Sequence, residues 1–302
     1  MLRALALVLL AAAPAQGEGA LDVVATSTDL KALVEAVGGD RVTVESLAPA
    51  LHEPHAVDVK PGQLARLKSA ALLVRVGLDH EPWLARVRAT VNDPRFAPGG
   101  AADLDVSRGI ELLQAETARV RSDQGVHVHG FGNPHYWLDP ANARPMTQTI
   151  LDGLARLAPD AREVFARNRA RFLEALEAGL ARWTAALARY RGARVVVFHD
   201  SWPYFAQRFG VVIAGTVEPV PGVPPSPASL AALTAGMREA GVRVLIVEPS
   251  SNRSVANRIA ASTGARIVTL VPSVGGEPAA GDYVKLFDVN VRRLAEALAG
   301  VR

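Results

Sequence analysis

The chain has 302 residues, 49% of them hydrophobic, and contains no cysteine. Its length suggests about two domains, and its hydrophobic content excludes a generally disordered chain. The 33 basic and 30 acidic residues nearly balance, so the net charge does not indicate a nucleic-acid-binding protein. The lack of cysteine excludes disulfides, iron–sulfur clusters and thiolate metal sites. Any transition-metal site must therefore use histidine, aspartate or glutamate.

Residues 1–20 have the features of a secretory signal peptide, with a buried N-terminal helix as the alternative. Arg3 precedes an apolar stretch from Ala4 to Ala13, and Ala13-Pro14-Ala15 is typical of a cleavage site. The stretch is shorter than the roughly 20 residues that span a bilayer, and no later segment is apolar for long enough. A lipid anchor would need a cysteine at the mature N-terminus. We therefore expect an exported, soluble protein without a lipid anchor.

The mature chain opens with strands that alternate with helices. The predicted strands cover residues 21–26, 41–47 and 71–76, and the predicted helices cover residues 29–37, 61–70 and 82–91. Residues 92–109 are rich in proline, glycine and aspartate, which favours an irregular crossing. Alternating strands and helices are typical of a parallel sheet covered on both faces. This pattern predicts a doubly wound α/β lobe over residues 21–157.

One long amphipathic helix is predicted from Pro159 to Tyr190. Its apolar residues recur at intervals of three, four or seven positions: Phe165, Phe172, Leu176, Leu180, Trp183, Leu187 and Tyr190. About thirty residues at 1.5 Å each span roughly 45 Å, which is the width of a domain. We expect residues 158–192 to form a rigid linker.

A second alternating pattern follows the linker. The predicted strands cover residues 194–198, 211–217, 242–247 and 266–271, and the predicted helices cover residues 227–240, 254–263 and 282–298. This pattern predicts a second α/β lobe over residues 193–302. The expected fold is therefore two doubly wound α/β lobes joined by one long rigid α-helix, with a cleft between them.

Three histidines lie where α/β proteins bind ligands, beyond the carboxyl ends of strands or before helices. His55 follows the strand at residues 41–47, His135 precedes a helix that begins near Pro140, and His199 follows the strand at residues 194–198. Three imidazoles and one oxygen ligand make a good zinc site. A solvated side chain is the ordinary alternative for any single loop histidine. The combination on two lobes favours a metal site in the cleft.

The sequence resembles the metal-binding substrate-binding proteins of zinc and manganese ABC transporters, a family that includes the streptococcal metal-binding adhesins. The similarity covers nearly all of the mature chain and lies in residues 53–55, 77–84, 133–140, 198–205, 247–249 and 281–283. It implies the same two-lobe fold and metal ligands at His55, His135, His199 and Asp282. Asp282 is also well placed to cap a helix, which is its alternative role.

The metal is suggested by the third ligand. Zinc binders of the family tend to have histidine there and manganese binders glutamate; imidazole suits Zn²⁺ and carboxylate suits Mn²⁺. His199 therefore favours zinc. The chain also differs from the family pattern. Glu53 and Asn133 replace the usual aspartates, and only His127 and His129 remain of the histidine-rich loop that many zinc members carry.

Four further residues lie near the predicted ligands. We expect Asp200 to be solvent-exposed, the alternative being that it orients an imidazole. We expect His80 to be solvent-exposed and not a ligand, and Glu81 to brace the cleft. Glu248 is expected either to accept a hydrogen bond near the site or to form a structural ion pair.

The resemblance implies a periplasmic protein, not an enzyme, that binds Zn²⁺ as cargo and delivers it to the membrane permease of an ABC transporter. A manganese or iron protein of the same family is one alternative. A zinc-dependent hydrolase is the alternative from another class, but no His-Glu-x-x-His helix or Gly-x-Ser-x-Gly elbow occurs in the sequence. We expect a monomer that binds no nucleic acid. Loading by a periplasmic metallochaperone stays open.

Overall fold

The computed structural model describes residues 19–50, 57–115, 132–219 and 223–301. The predicted signal peptide up to residue 18, Glu53, His55 and the pair His127 and His129 lie outside these residues, so the expectations about them stay predictions. Among the helices of the described residues, none combines the length and the apolar character needed to cross a membrane.

The first lobe contains a four-stranded parallel sheet with the strand order β2-β1-β3-β4. Its strands are β1 (Leu21–Ala25), β2 (Val42–Ser46), β3 (Leu72–Arg75) and β4 (Asp103–Asp105). The helices that connect them are α1 (Thr28–Gly38), α2 (Pro61–Ser69) and α3 (Leu84–Val91). The predicted strands and helices of this lobe are confirmed to within two residues.

The prediction that residues 92–109 are wholly irregular is wrong, because they contain β4. Asp103 has a buried carboxylate that accepts hydrogen bonds from Arg75 Nε at 2.9 Å and from Arg88 Nη2 at 2.5 Å. Aspartate is depleted in strands, so the sequence Asp-Leu-Asp gave no strand signal. The two arginines supply the partners that allow this acidic strand to form the edge of the sheet.

A long helix follows α4 (Ala143–Leu157) and runs between the lobes, as predicted. It consists of α5 (Arg162–Leu187) with 3₁₀ turns at Pro159–Ala161 and Ala188–Tyr190. Of its predicted apolar residues, Phe165, Leu176, Trp183, Leu187 and Tyr190 are buried, and Phe172 and Leu180 are partly buried. A side chain at Gly179 would place its Cβ 2.6 Å from the Trp183 ring, so this position needs glycine.

The second lobe repeats the architecture of the first, with a parallel sheet in the order β6-β5-β7-β8. Its strands are β5 (Arg194–His199), β6 (Val212–Glu218), β7 (Val244–Val247) and β8 (Arg266–Thr269). Its helices are α6 (Pro203–Phe209), α7 (Pro227–Glu239), α8 (Arg253–Thr263) and α9 (Tyr283–Ala299). The predicted elements are again confirmed to within two residues. The seven-residue helix α6 is too short to show a helical period and was not predicted.

The largest group of buried apolar side chains is continuous through both lobes and the long helix. It includes Leu30 and Val74 of the first lobe, Leu176 of α5, and Val197 and Leu286 of the second lobe. Neighbouring strand residues point to the other face of each sheet, where two smaller apolar clusters lie. Both faces of both sheets are therefore covered, as a doubly wound fold requires.

Candidate metal site

His199 is the last residue of β5, at the carboxyl end of the second sheet. Its side chain is 16% exposed, and its Nδ1 lies 3.6 Å from Glu218 Oε2 at the end of the neighbouring strand β6. This distance is longer than a hydrogen bond, so the two side chains are close but not hydrogen-bonded to each other. Carboxylates commonly hold the second ring nitrogen of a metal-binding histidine, so Glu218 is placed to orient His199.

His135 precedes a 3₁₀ turn, Tyr136–Leu138, and is 7% exposed. Asn133 Oδ1 accepts hydrogen bonds from the backbone nitrogen of His135 at 3.0 Å and lies 2.9 Å from His135 Nδ1. An amide oxygen can only accept, so this contact places the ring proton on Nδ1 and the lone pair on Nε2. Nε2 is therefore the nitrogen through which His135 can bind a metal.

Asn133 also connects the two histidine loops. Its Nδ2 donates at 2.8 Å to the backbone oxygen of Asp200, the residue after His199. Because a backbone carbonyl only accepts, this bond fixes the orientation of the amide and supports the tautomer of His135. One side chain thus holds the loop of His135 in the first lobe against the loop of His199 in the second.

The prediction that Asp200 is solvent-exposed is wrong. The residue is half-buried, and its carboxylate is 3.4 Å from both Gln114 Nε2 and Asn133 Nδ2. Burial raises the pKa of Asp200, and these two side-chain contacts oppose that change. This contact was not predictable from the local sequence, because its partners lie 67 and 86 residues away.

Glu248 is buried at the end of the second sheet and is bound by neutral donors. Its carboxylate accepts hydrogen bonds from Trp202 Nε1 at 2.6 Å and Ser251 Oγ at 2.7 Å. Burial raises the pKa of Glu248, and the electrostatic effect of nearby His199 opposes this. Of the two expectations for Glu248, the structure supports the hydrogen-bond acceptor near the site.

The prediction that His80 is solvent-exposed is also wrong, because its side chain is 1% exposed. The His80 ring lies 5.5 Å from the His135 ring and 5.0 Å from the Trp137 ring, measured between centroids. The His135 and Trp137 rings are 5.2 Å apart. The three rings therefore form one buried cluster.

Glu81 joins the ends of two strands of the first sheet through bonds within the first lobe, so the expected bracing of the cleft stays a prediction. Its Oε1 accepts from Thr26 Oγ1 at 2.5 Å and from the Val76 backbone nitrogen at 2.7 Å, and its Oε2 accepts from the Gly77 nitrogen at 3.1 Å. Burial raises the pKa of Glu81 to about 7 despite these donors.

Asp282 is the N-cap of α9. Its Oδ1 accepts from the Lys285 backbone nitrogen at 2.8 Å, and its Oδ2 lies 2.8 Å from Lys285 Nζ. The side chains of the two residues are 48% and 63% exposed, so this ion pair is weak and inexpensive to break. The structure thus shows the capping role, and in a metal-binding role the ion would compete with Lys285 for Asp282 Oδ2.

Within the part of the chain that the structure describes, no three His, Asp or Glu side chains form a group that could hold an ion. The structure brings the loops of His135 and His199 together through Asn133, whereas Asp282 is engaged by its own helix. His55 lies outside the described residues. The four-residue ligand set therefore stays a prediction.

Sequence reasoning assigned no role to three residues that lie around the site: Asn133, Glu218 and Tyr204. The Tyr204 hydroxyl accepts a hydrogen bond from the backbone nitrogen of Leu113 at 3.1 Å and donates one to the backbone oxygen of Asn133 at 2.8 Å. These two bonds connect α6 to the first lobe. Only Asn133 had a local signal, because an asparagine side chain readily accepts from the backbone nitrogen two residues later.

Two matching α/β lobes, joined by a long helix and with buried imidazoles between them, define a substrate-binding protein of the metal-binding class. The sequence matches the family described as zinc-uptake complex component A, periplasmic (ZnuA), over residues 23–297. The chain belongs to this family, and the resemblance found in the sequence is confirmed. The family is one of transport proteins and not of enzymes.

Relatives support the same assignment. The high-affinity zinc uptake system protein ZnuA of Paracoccus denitrificans is 30% identical over 292 residues, which cover 89% of this chain and 87% of the relative. The zinc-binding lipoprotein AdcA of Streptococcus pneumoniae is 26% identical over 286 residues, which cover 93% of this chain but 56% of AdcA. The chain thus spans about half the length of that relative.

Solved structures confirm the fold. A crystal structure of ZnuA has a TM-score of 0.76 and 30% identity, covering 92% of this chain and 99% of the other. The Mn²⁺ complex of FpvC from Pseudomonas aeruginosa has a TM-score of 0.81 at 24% identity, covering 93% and 99% of the two chains. The second similarity supports the fold alone.

Proposed function

We propose that this protein binds Zn²⁺ in the periplasm as cargo and delivers it to the permease of an ABC transporter. The proposed ligands are His55, His135, His199 and Asp282. Family membership supports the transport role, and a deletion variant of ZnuA whose structure is described as zinc-bound is 28% identical to this chain.

The observation that carries the proposal is the pair of hydrogen bonds made by Asn133. It orients His135 through Nδ1 and holds the backbone beside His199, so one side chain supports two proposed ligands from two lobes. Such support of a ligand is typical of metal-binding histidines and affects their affinity by about 10–100-fold.

Zinc is favoured over manganese or iron by the chemistry of the proposed ligands. Three imidazoles and one carboxylate complete a tetrahedral zinc site, whereas Mn²⁺ prefers more oxygen ligands. The third histidine, His199, ends β5 with Glu218 beside its Nδ1, which supports a ligand role for that imidazole. A manganese or iron cargo is the alternative within the family.

We further propose that the protein acts as an exported monomer without a lipid anchor, to which a periplasmic metallochaperone can deliver zinc. The lack of cysteine in the sequence supports an unlipidated form, in contrast to AdcA, which is described as a lipoprotein. Fractionation of cells and the mass of the exported form test these expectations.

Elemental analysis of protein purified without chelators tests the function. We expect one zinc per chain and preference for zinc over manganese in competition. His135→Ala and His199→Ala should each weaken zinc binding by at least about 100-fold, since each removes a direct ligand. The exposed Arg167→Ala serves as the control and should bind as the wild type does. Manganese in place of zinc, or full affinity in both histidine variants, would refute the proposal.

A further inference from the structure

We propose that His80 is an additional metal-binding imidazole, which binds the cargo ion together with His135 and can replace Asp282 as a ligand. The inference rests on the proposed zinc function. It is carried by the buried pair of imidazoles in the first lobe, which lies outside the ligand set implied by the family resemblance.

The separation of the two rings suits one shared ion. A zinc–nitrogen distance of about 2.0–2.1 Å and a tetrahedral angle place the centroids of two bound imidazoles roughly 5 Å apart. The centroids of His80 and His135 are 5.5 Å apart, with the ring planes at 83°. The observed separation is therefore close to that of two imidazoles bound to a single ion.

The backbone before His80 takes an unusual path that directs this residue into the protein. Gly77, Leu78 and Asp79 all have positive φ angles, of 80°, 55° and 57°. Two of these are not glycine, and residues with a side chain are strained in this region. The His80 backbone nitrogen then donates to the Gly77 oxygen at 3.0 Å. Strained backbone of this kind is concentrated at functional sites.

The loops that carry the two imidazoles are held together. The Tyr136 hydroxyl donates at 2.6 Å to the backbone oxygen of Val76, which connects the residue after His135 to the loop that leads to His80. Trp137 packs against both imidazoles and donates from Nε1 to the Pro272 oxygen of the second lobe at 3.0 Å. The imidazole pair is thus fixed in place and shielded from water.

The same tryptophan lies beside the start of α9, the helix that Asp282 caps. The Tyr283 hydroxyl donates to the Trp137 oxygen at 2.5 Å. Asp282 itself is engaged by the cap of α9 and by Lys285, so Lys285 competes with an ion for its carboxylate. We infer that the ion can be held by His80 with His135 when Asp282 is paired with Lys285.

A double-mutant cycle tests the inference. Zinc affinity is measured by competition with a chromophoric chelator for the wild type, His80→Phe, Asp282→Ala and the double variant. Phenylalanine preserves the ring contact with Trp137. If His80 replaces Asp282, each single change has a modest effect. Either change, when it is made in the presence of the other, should then weaken zinc binding at least about tenfold more than it does in the wild type.

X-ray absorption at the zinc edge supplies a direct readout. The number of bound imidazoles should fall by one between Asp282→Ala and the double variant, a change that a purely structural role of His80 does not produce. His80→Gln is a second variant in case phenylalanine disturbs the fold, and thermal unfolding without zinc checks that each variant is native. Additive effects with an unchanged imidazole count overturn this inference alone. A wild-type protein with no zinc affinity overturns the proposed function itself.

Discussion

Asp29, in the first turn of α1, accepts a hydrogen bond at 2.9 Å from the backbone nitrogen of Val274, which lies 245 residues later in the second lobe. The carboxyl group is 1% exposed, and burial raises its pKa from the ordinary 3.8 to about 7. A buried acid therefore connects the two lobes.

This connection predicts a dependence of stability on pH. Because Asp29 holds its proton more tightly in the folded protein, the folded state binds more protons than the unfolded state between about pH 4 and pH 7. The free energy of unfolding should fall as the pH rises through this range and then level off. The shift corresponds to roughly 4 kcal/mol at most, at 1.36 kcal/mol per pKa unit.

Asp29→Asn tests this dependence. The amide oxygen can still accept from Val274, but no charge forms on titration. We expect the variant to be at least as stable as the wild type at pH 8 and to show a flatter pH profile in urea denaturation. Glu81, whose pKa is also raised to about 7, keeps the remaining slope. A profile identical to that of the wild type would contradict the prediction.

Removal of the Asn133 side chain should weaken zinc binding. Asn133→Ala leaves His135 Nδ1 without this partner and releases the backbone of Asp200, so we expect a loss of about 10–100-fold in affinity by calorimetry. Asn168→Ala is the matched control, because Asn168 Nδ2 also donates to a backbone oxygen, that of Val37, but in the linker helix. Equal affinities in both variants would show that Asn133 does not support the site.

Lys285 should compete with zinc for Asp282. In Lys285→Met, Asp282 keeps its cap contact with the backbone nitrogen but loses its charged partner. If Asp282 is a ligand, zinc affinity should rise by a few-fold, because an exposed ion pair is weak. Arg167→Met removes a comparable exposed ion pair with Glu163 on α5 and should leave affinity unchanged. A weaker affinity in Lys285→Met would contradict the prediction.

Zinc binding should reorganise loops more than it moves the lobes. Besides Asp29, the lobes are joined by a bond from Tyr204 to Asn133 and by a two-point ion pair of Arg208 with Asp139 at 2.7 Å. We expect small-angle scattering to give the same radius of gyration with and without zinc. Hydrogen exchange should slow mainly around His135 and Asp282. A marked change in the radius of gyration, with exchange differences in α5, would instead indicate a hinge.

The regular elements and the long helix were predictable because each leaves a local periodicity. The apolar positions of α5 repeat with the helical period, and Val195 to Phe198 form a continuous buried run. Strand β4 and helix α6 were missed because β4 depends on arginines from other elements and α6 is too short for a period.

The surroundings of His135 and His199 were not predictable from the sequence. The burial of His80 follows from three successive left-handed residues, and that of Asp200 from contacts with distant residues. Neither feature produces a periodic pattern in the sequence from which it could be predicted. The pairing of Asp282 with Lys285 was also hidden, because the same residue pattern suits both a cap and a ligand.

Because the apolar cluster is continuous, the protein cannot readily be divided into lobes that fold independently. Leu176 and Trp183 of the linker pack in the same cluster as Val74 and Leu286 from opposite lobes. A fragment that stops after α4 would leave much of this surface facing water, at a cost of about 25 cal/mol for each Å². Neither lobe can therefore be exchanged for the lobe of another protein without changes elsewhere. A chimera with another lobe must also inherit the face of the helix that fits it.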